Sequence, residues 1–233
     1  MAVVPALDEE ESIGGVVREL TPRVDAVVVV DNGSRDGTAE AARAAGAVVV
    51  GEGERGYGAA CLAGVTKARE LGASILLFLD GDGSDDPAQA PELLAPILEG
   101  AADLVLGVRA RARTEDGAMT DVQRFGNWFA PRVMRVLTGA RYSDMPPYKA
   151  ITAEAFASLA LRDRRHGFTV ELLLGAHDRR LRVVEVPVRC RRRRAGVSKV
   201  SGTLVGASRA AVKILSTIAN HALHSRIAPR SPS

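Results

Sequence analysis

Residues 76–87 read LLFLDGDGSDDP, an apolar run that ends in four aspartates, Asp80, Asp82, Asp85 and Asp86, before Pro87. Two carboxylates at i and i+2, separated by glycine and leaving a strand, can converge on a hard divalent cation. Mg2+ or Mn2+ suits such oxygen ligands, because these ions take few protein carboxylates and complete their shell with water and phosphate. The same stretch also suits a helix start, with Asp85 or Asp86 as N-cap and Pro87 as first helical residue. The segment divides accordingly: Asp80 and Asp82 are candidate ligands, Asp85 and Asp86 candidate caps.

Two further stretches carry polar chemistry at strand ends. In VVVVDNGSRDGT, residues 27–38, Asp31 can accept hydrogen bonds from a ribose or base and Gly33 permits a tight turn. Asn32, Asp36 and Gly37 are equally ordinary turn residues. In VPALDEEES, near the start, Pro5 and Leu7 can line a base pocket while Asp8 and Glu9 present carboxylates. Acidic residues at that place also complement the dipole of the helix that follows.

These residues need elements to hold them, and the first half supplies a regular alternation. VVPAL, DAVVVVD, AVVVG, SILLFLD and ADLVLGVR read as strands. Between them EEESIGGVVREL, RDGTAEAARAAG, GYGAACLAGVTKARELG and DPAQAPELLAPILEG carry helical spacing. Continuous apolar runs such as VVVV and ILLFL indicate parallel strands covered on both faces. The predicted fold class is therefore α/β, one domain with a mostly parallel central sheet flanked by helices, in which ligands bind beyond the carboxyl ends of the strands. Asp31 and Asp80 occupy such ends. The second half is less regular: RFGNWFAPRVMRVLTG, ITAEAFASLAL and FTVELLLGAHDRR read as helices, YSDMPPYKAI as a proline-rich loop entering a strand, and LRVVEVPV as a strand. Residues 203–223 form an amphipathic helix with Leu204, Ala207, Ala211, Leu215, Ile218 and Ala222 on one face. Residues 224–233 read as a flexible tail, so the domain is predicted to span 1–223.

Composition narrows the function classes. With 233 residues and 46% apolar content the chain can bury a real core. Aromatics make up only 4%, too few for a base-stacking platform, and nucleic acid is not an expected partner. No apolar run reaches the roughly 18–20 residues that span a bilayer, and no signal peptide is evident, which predicts a cytoplasmic protein. Cys61 and Cys190 have no paired spacing and read as bystander thiols. The net charge of +3 conceals a division: residues 1–121 carry 10 basic against 22 acidic side chains, a net of −12, and residues 122–233 carry 21 against 6, a net of +15. Such halves can form two walls of one site, one for a metal and one for an anion. They can also simply solvate two faces.

Taken together, Pro5-Ala-Leu-Asp8-Glu9, VDNGSRDGT and Asp80-Gly-Asp82 resemble the family 2 glycosyltransferases, inverting enzymes with the GT-A fold. That family pattern runs Pro-x-x-Asn-Glu, then Val-Asp-Asp/Asn-Gly-Ser-x-Asp-Gly-Thr, then an Asp-x-Asp metal motif after a hydrophobic strand. GVRAR, QRFGNWFA, DMPPYKAI, GFTVELLLGAHDRRLRVVEVPV and RRRRAGVSKVSGT extend the likeness to the bacterial branch akin to dolichyl-phosphate mannosyl- and glucosyltransferases. Asp8 stands where Asn is usual, and DMPPYKAI replaces a commoner Asp-Leu-Gly-Pro-Phe-Arg-Ala-Ile. Lys149 in place of Arg keeps the charge and loses the bidentate fork.

The resemblance implies a hexosyltransferase-type enzyme. Its donor would be a UDP- or GDP-sugar held by Pro5, Leu7, Glu9, Asp31, Asp36, Gly58 and Gly81, with Mg2+ or Mn2+ on Asp80 and Asp82. Residues 1–121 would form the donor and metal half, and 122–223 the acceptor half. Arg109, Arg124, Glu171, Arg194, Ser198 and Lys199 are the acceptor-side candidates, and Asp144, Arg124 and Lys199 the catalytic ones. A polyprenyl-phosphate acceptor is already an anion and asks for cations rather than a base. A soluble hydroxyl acceptor would need a carboxylate base, Asp144 first and Glu171 second. A noncatalytic nucleotide-sugar-binding module is the third reading, disfavoured by the presence of both Asp80 and Asp82. The amphipathic 203–223 helix can pack on the core, form a homodimer, or lie peripherally on the inner face of an anionic membrane.

Overall fold

The computed structural model describes residues 1–193 and 204–227. Seven strands build one sheet: β1 (Ala2–Ala6), β2 (Val27–Asp31), β3 (Val48–Gly51), β4 (Ile75–Phe78), β5 (Leu104–Thr114), β6 (Lys149–Thr152) and β7 (Val183–Cys190), in the order β3-β2-β1-β4-β6-β5-β7. Every pairing is parallel except those of β6, which runs antiparallel to both β4 and β5. The mostly parallel α/β sheet expected from the sequence is present, with one inverted strand that the periodicity did not reveal.

Strand alternation sorts the core into two layers. Val27, Val29, Leu77 and Leu79 face one side, against α1 (Glu10–Leu20), α2 (Thr38–Ala44) and α4 (Ala90–Leu98). Val28, Val30, Leu76 and Phe78 face the other, against α3 (Tyr57–Glu70), α6 (Ala153–Leu159) and α7 (Phe168–Asp178). On that second face α5 (Asp121–Thr138) contributes Met134 and α8 (Leu204–Ile227) contributes Ile218. Helix α3 comes close to the sheet because residue 64 has no side chain. A Cβ there would lie 2.4 Å from Val3 Cγ1 and 2.9 Å from Val30 Cγ2. Both neighbours are stiff β-branched strand residues. Gly64→Ala is therefore expected to destabilise the fold by about 1–3 kcal/mol through overpacking, read as a lowered urea midpoint with unchanged m-value.

Three boundaries differ from the sequence reading. DPAQAPELLAPILEG splits into a 3-10 turn, Pro87–Gln89, and α4, because Pro91 has no amide to donate back to the preceding turn; Pro96 sits within α4. Strand β5 runs past Arg109 to Thr114, with an irregularity in its pairing to β7 between those residues. Helix α8 continues to Ile227, so the predicted tail is helical over 224–227, and 228–233 lie outside the described residues. On α8, Ile218 and Ala222 are buried while Ala211 is exposed, so the predicted apolar face is only partly used.

Candidate active site

The sheet gathers the polar segments at one edge. Strands β1, β2, β4, β5 and β7 all point the same way, so Leu7–Glu9, Asp80–Asp86 and Arg191–Arg193 leave the sheet at its carboxyl end, where Asp31 ends β2, Arg189 lies in the last residues of β7, and Arg109 stands within β5 at the irregularity of its pairing. The inverted β6 delivers its amino end there instead: Lys149 pairs with Phe78 of β4 and Leu106 of β5. The DMPPY loop, with Asp144, thereby joins the same edge.

At the centre, Asp82 and Asp85 are buried and Asp80 is partly exposed. The Asp80 amide donates to Asp85 Oδ2 at 3.1 Å, and the Ser84 amide to Asp82 Oδ1 at 2.8 Å, which folds the loop back on itself. Gly81 is required by close approach: a Cβ would stand 3.2 Å from both the Pro5 carbonyl oxygen and Ile13 Cδ1. Burial, then repulsion from Asp82 and Asp85, pushes the Asp80 carboxyl well above the usual range. Burial likewise raises Asp85 to about 7, against the Asp80 amide that bonds its anion. Glu9 is raised by burial and by Asp82, with Arg193 opposing.

Positive charge surrounds this cluster. Arg193 Nη1 lies 2.6 Å from Glu9 Oε1 and its Nη2 2.6 Å from Asp82 Oδ2, bridging the β1 and β4 segments. Arg191 reaches Asp86 Oδ1 at 2.6 Å and Glu19 Oε2 at 3.3 Å, while its amide donates to the Ser84 carbonyl at 2.8 Å. The Arg192 amide donates to Glu115 Oε2 at 2.8 Å. The stretch after β7 is thus a strap: Arg191 and Arg193 engage the acidic loop, while Arg192 is exposed and tied to the Glu115–Asp116 turn. Behind the loop sits Lys149, fully buried, its ammonium donating to the Pro146 carbonyl at 3.0 Å and to Thr169 Oγ1 at 3.2 Å. Burial lowers it to about 8 against the pull of Cys61, Asp80 and Asp85. The sequence marked this residue only as a replacement for Arg, although a lysine at the start of a buried strand is a signal in itself, since buried charge needs a partner.

The remaining candidates are placed as follows. Asp31 accepts the Ser34 amide on Oδ1 at 2.9 Å and keeps Oδ2 without a partner among the described residues. Asp36 serves its own turn: burial alone would raise it, but the Thr38 hydroxyl and the Glu10 and Thr38 amides hold it below the usual range. Asn32 binds the Glu52 and Glu54 carbonyls and the Gly56 amide, tying β2 to the loop before α3. Gly58 is explained by packing, because a Cβ would fall 2.1 Å from the Asp163 carbonyl oxygen. Its amide donates to the Arg165 carbonyl and that of Ala59 to Arg164, so this helix end is already capped.

On the acceptor side, Arg109 and Asp144 form one bidentate pair, Nε to Oδ2 at 2.8 Å and Nη2 to Oδ1 at 2.7 Å, and Asp144 also accepts the Arg109 and Met145 amides. Burial would raise Asp144, but Arg109 and these amides hold it below the usual carboxylate range. Arg124 pairs with Asp121 at 3.3 Å on the exposed surface of α5. Glu171 accepts the amides of Arg162 and Asp163, at 2.9 and 2.7 Å, and so fastens the loop that leads into α7. Arg194, Ser198 and Lys199 lie outside the described residues. Asp86 is the cap that the sequence suggested, accepting the Ala88 amide at 3.0 Å, whereas Asp85 supports Asp80.

Among the described residues no three carboxylate, imidazole or thiolate groups form a ready metal cage. The donor set nonetheless fits a hard divalent ion: Asp80, Asp82 and Asp85 are oxygen donors, Asp80 and Asp85 raised by burial first and by neighbouring carboxylates second, and two carboxylates plus phosphate are what such an ion commonly uses.

The sheet, with a carboxylate loop at its carboxyl edge faced by a basic strap, has the GT-A fold of the solved glycosyltransferase structures it superposes on. The chain belongs to glycosyl transferase family 2, whose description matches residues 1–160. It is 39% identical over 205 residues to an uncharacterized glycosyltransferase of Mycobacterium tuberculosis, covering 88% of this chain and 90% of that one. It is 32% identical over 222 residues to the undecaprenyl-phosphate mannosyltransferase of Micrococcus luteus, covering 88% and 89%. Among solved structures, glucosyl-3-phosphoglycerate synthase from Mycobacterium tuberculosis, in complex with Mn2+, uridine diphosphate and phosphoglyceric acid, superposes with a TM-score of 0.78. The match covers 95% of this chain and 77% of that one at 23% identity, a likeness of fold.

Proposed function

We propose that the protein is a metal-dependent, inverting hexosyltransferase that moves a sugar from a nucleotide-diphosphate sugar to a polyprenyl phosphate. The observation that carries this reading is the carboxylate cluster at the sheet edge, buried Asp82 and Asp85 with partly exposed Asp80, with Lys149 behind it and the arginine strap in front. Mg2+ or Mn2+ held by Asp80 and Asp82 would neutralise charge on the leaving diphosphate. Pro5 and Leu7 would flank the base, Asp31 would take a ribose hydroxyl with its free Oδ2, and Glu9 would hold the start of α1 in place.

The acceptor side favours an anion. A hydroxyl acceptor needs a base, yet Asp144 spends its oxygens on Arg109 and two amides and is held in its ionised form below the usual range, which makes it a poor proton acceptor near neutral pH. A phosphate acceptor asks only to be oriented by cations, and the mannosyltransferase of Micrococcus luteus is named for such a lipid. No helix among the described residues is long and apolar enough to cross a membrane. A lipid-phosphate acceptor sets the proposed reaction at the cytoplasmic face of a bilayer, reached peripherally.

The test is release of nucleotide diphosphate from a panel of UDP- and GDP-sugars with Mn2+, with and without polyprenyl phosphate. Acceptor-dependent release supports the reading; no donor binding and no turnover under any condition sinks it. For the basic loop, Lys199→Ala is expected to raise the KM for polyprenyl phosphate about tenfold, the worth of one charge-assisted contact, with little change in the donor KM. The opposite split would assign Lys199 to the donor.

A further inference from the structure

Helix α5 is well specified as a helix and badly covered as a surface. Thr120 and Gln123 close a reciprocal capping box at its start, 3.2 and 2.8 Å, and Gly139 ends it in the left-handed conformation. Met134, Ala130 and Pro131 are buried beneath it. The opposite side carries Val122, Phe125, Trp128, Phe129 and Val136, exposed by 55, 60, 51, 37 and 80%, so the most aromatic stretch of the chain faces outward. Among the described residues nothing covers them. Phe125 stacks on Phe129 at 5.5 Å and tilts against Trp128 at 5.9 Å, forming one aromatic ridge. Arg132 lies over the Trp128 ring at 4.2 Å.

We propose that this face of α5 docks the protein on an anionic lipid surface. An apolar ridge with tryptophan at its border and arginine beside it matches the layering of a bilayer interface, where rings sit at headgroup depth and guanidinium groups meet lipid phosphate. The exposed charges on the helix are Arg124, Arg132 and Arg135 against Asp121 alone. That excess argues against a second copy as the occupant. A two-fold contact would bring the same patch to itself, arginine excess against arginine excess, in a region where protein interfaces shed charge. The amino end of the helix is tied to the site. The turn that precedes it touches the strap, since Arg192 Nε donates to the Asp116 carbonyl and a Cβ on Gly117 would lie 3.3 Å from Arg192. The neighbouring Arg193 binds Glu9 and Asp82. A lipid phosphate at the surface under α5 would therefore lie beside the strap. The inference gives the lipid acceptor of the preceding section its approach, and in that sense rests on it.

Trp128 is the only tryptophan in the chain, so its emission reports on this surface alone. Vesicles of phosphatidylcholine containing phosphatidylglycerol are expected to shift Trp128 emission to the blue and, with brominated acyl chains, to quench it. Vesicles of phosphatidylcholine alone should do so weakly, and added salt should reverse the anionic effect. The pair Phe125→Ser and Phe129→Ser, both at exposed positions, is expected to weaken vesicle binding about tenfold or more while circular dichroism stays unchanged. Turnover on a short-chain, water-soluble polyprenyl phosphate should also persist. No shift with either vesicle, equal binding by the double variant, or a sedimenting dimer whose Trp128 is already blue-shifted without lipid overturns the proposal. Vesicle binding needs neither donor nor acceptor, so it can succeed where the transfer reaction fails, and the two readings are separable.

Discussion

Asp82→Ala is expected to abolish metal-dependent donor binding and to lower sugar transfer by about a thousandfold, the usual cost of losing one electrostatic stabiliser of a developing anion. The expectation follows from how little else Asp82 does. Its Oδ1 accepts one amide, from Ser84, and its Oδ2 meets Arg193, which also holds Glu9. Removing the carboxylate forfeits the Ser84 bond and the Arg193 contact, about 1–3 kcal/mol, while Arg193 keeps Glu9 and Asp80 loses a repelling neighbour. That is too little to explain a large loss of activity by unfolding. Asp82→Asn sharpens the comparison, since an amide oxygen can still accept from Ser84 while the charge is gone. Titration calorimetry with UDP or GDP, in the presence and absence of Mn2+, reads the effect without turnover. Full retention of Mn2+-dependent nucleotide binding in both variants would move the metal away from this loop.

The second large effect is on stability. Asp144→Ala leaves the guanidinium of Arg109, whose side chain is only 16% exposed, without its bidentate partner, and should destabilise the protein by about 3–5 kcal/mol at neutral pH. Replacing both partners with apolar side chains, Arg109→Met with Asp144→Leu, should recover most of that loss, because the cost lies in the orphaned charge rather than in the absence of the pair. Asp144 also predicts a pH dependence with a definite sign. Against burial, its folded pKa is depressed below the ordinary carboxylate range by Arg109 and the amides, so its stabilisation is present above the unfolded value near 3.9 and is lost as pH falls through the folded one. Urea unfolding of wild type and Asp144→Asn at neutral and acidic pH tests this, the variant losing less stability on acidification. Equal midpoints for wild type and Asp144→Ala at neutral pH would mean that the ion pair is open in solution.

Both predictions begin from motifs visible in the chain, but not to the same degree. The DGD stretch could be read directly, since an apolar run must be a covered strand and carboxylates at its end must leave at the sheet edge. Asp144 and Arg109 were also visible as candidates, separately, one as a base and one as an acceptor cation. Nothing in their spacing said that they bond to each other, because residues 35 apart meet only when two strands are placed side by side. Gly58 shows the reverse case: it read as a ligand position, and the structure explains it by the approach of the Asp163–Arg165 carbonyls. The basic run after β7 belonged to a charge excess that could equally have solvated a face. Arg191 and Arg193 turn out to grip the acidic loop, which depends on β7 lying parallel to β5 and ending at the same edge.

By itself the sequence determined the alternation of strands and helices, the two-faced burial of the sheet, and the arrival of Asp31 and Asp80 at strand ends, because periodicity and apolar runs are local properties of the chain. Only the tertiary structure decided that β6 runs backwards between β4 and β5, bringing Lys149 and the Asp144 loop to the edge where Asp80 and Asp82 lie. Strand direction leaves no mark on side-chain periodicity; it is fixed by which neighbours a strand pairs with. The partnerships of charge follow from that choice, since opposite charges far apart in sequence meet only after the strands have been ordered.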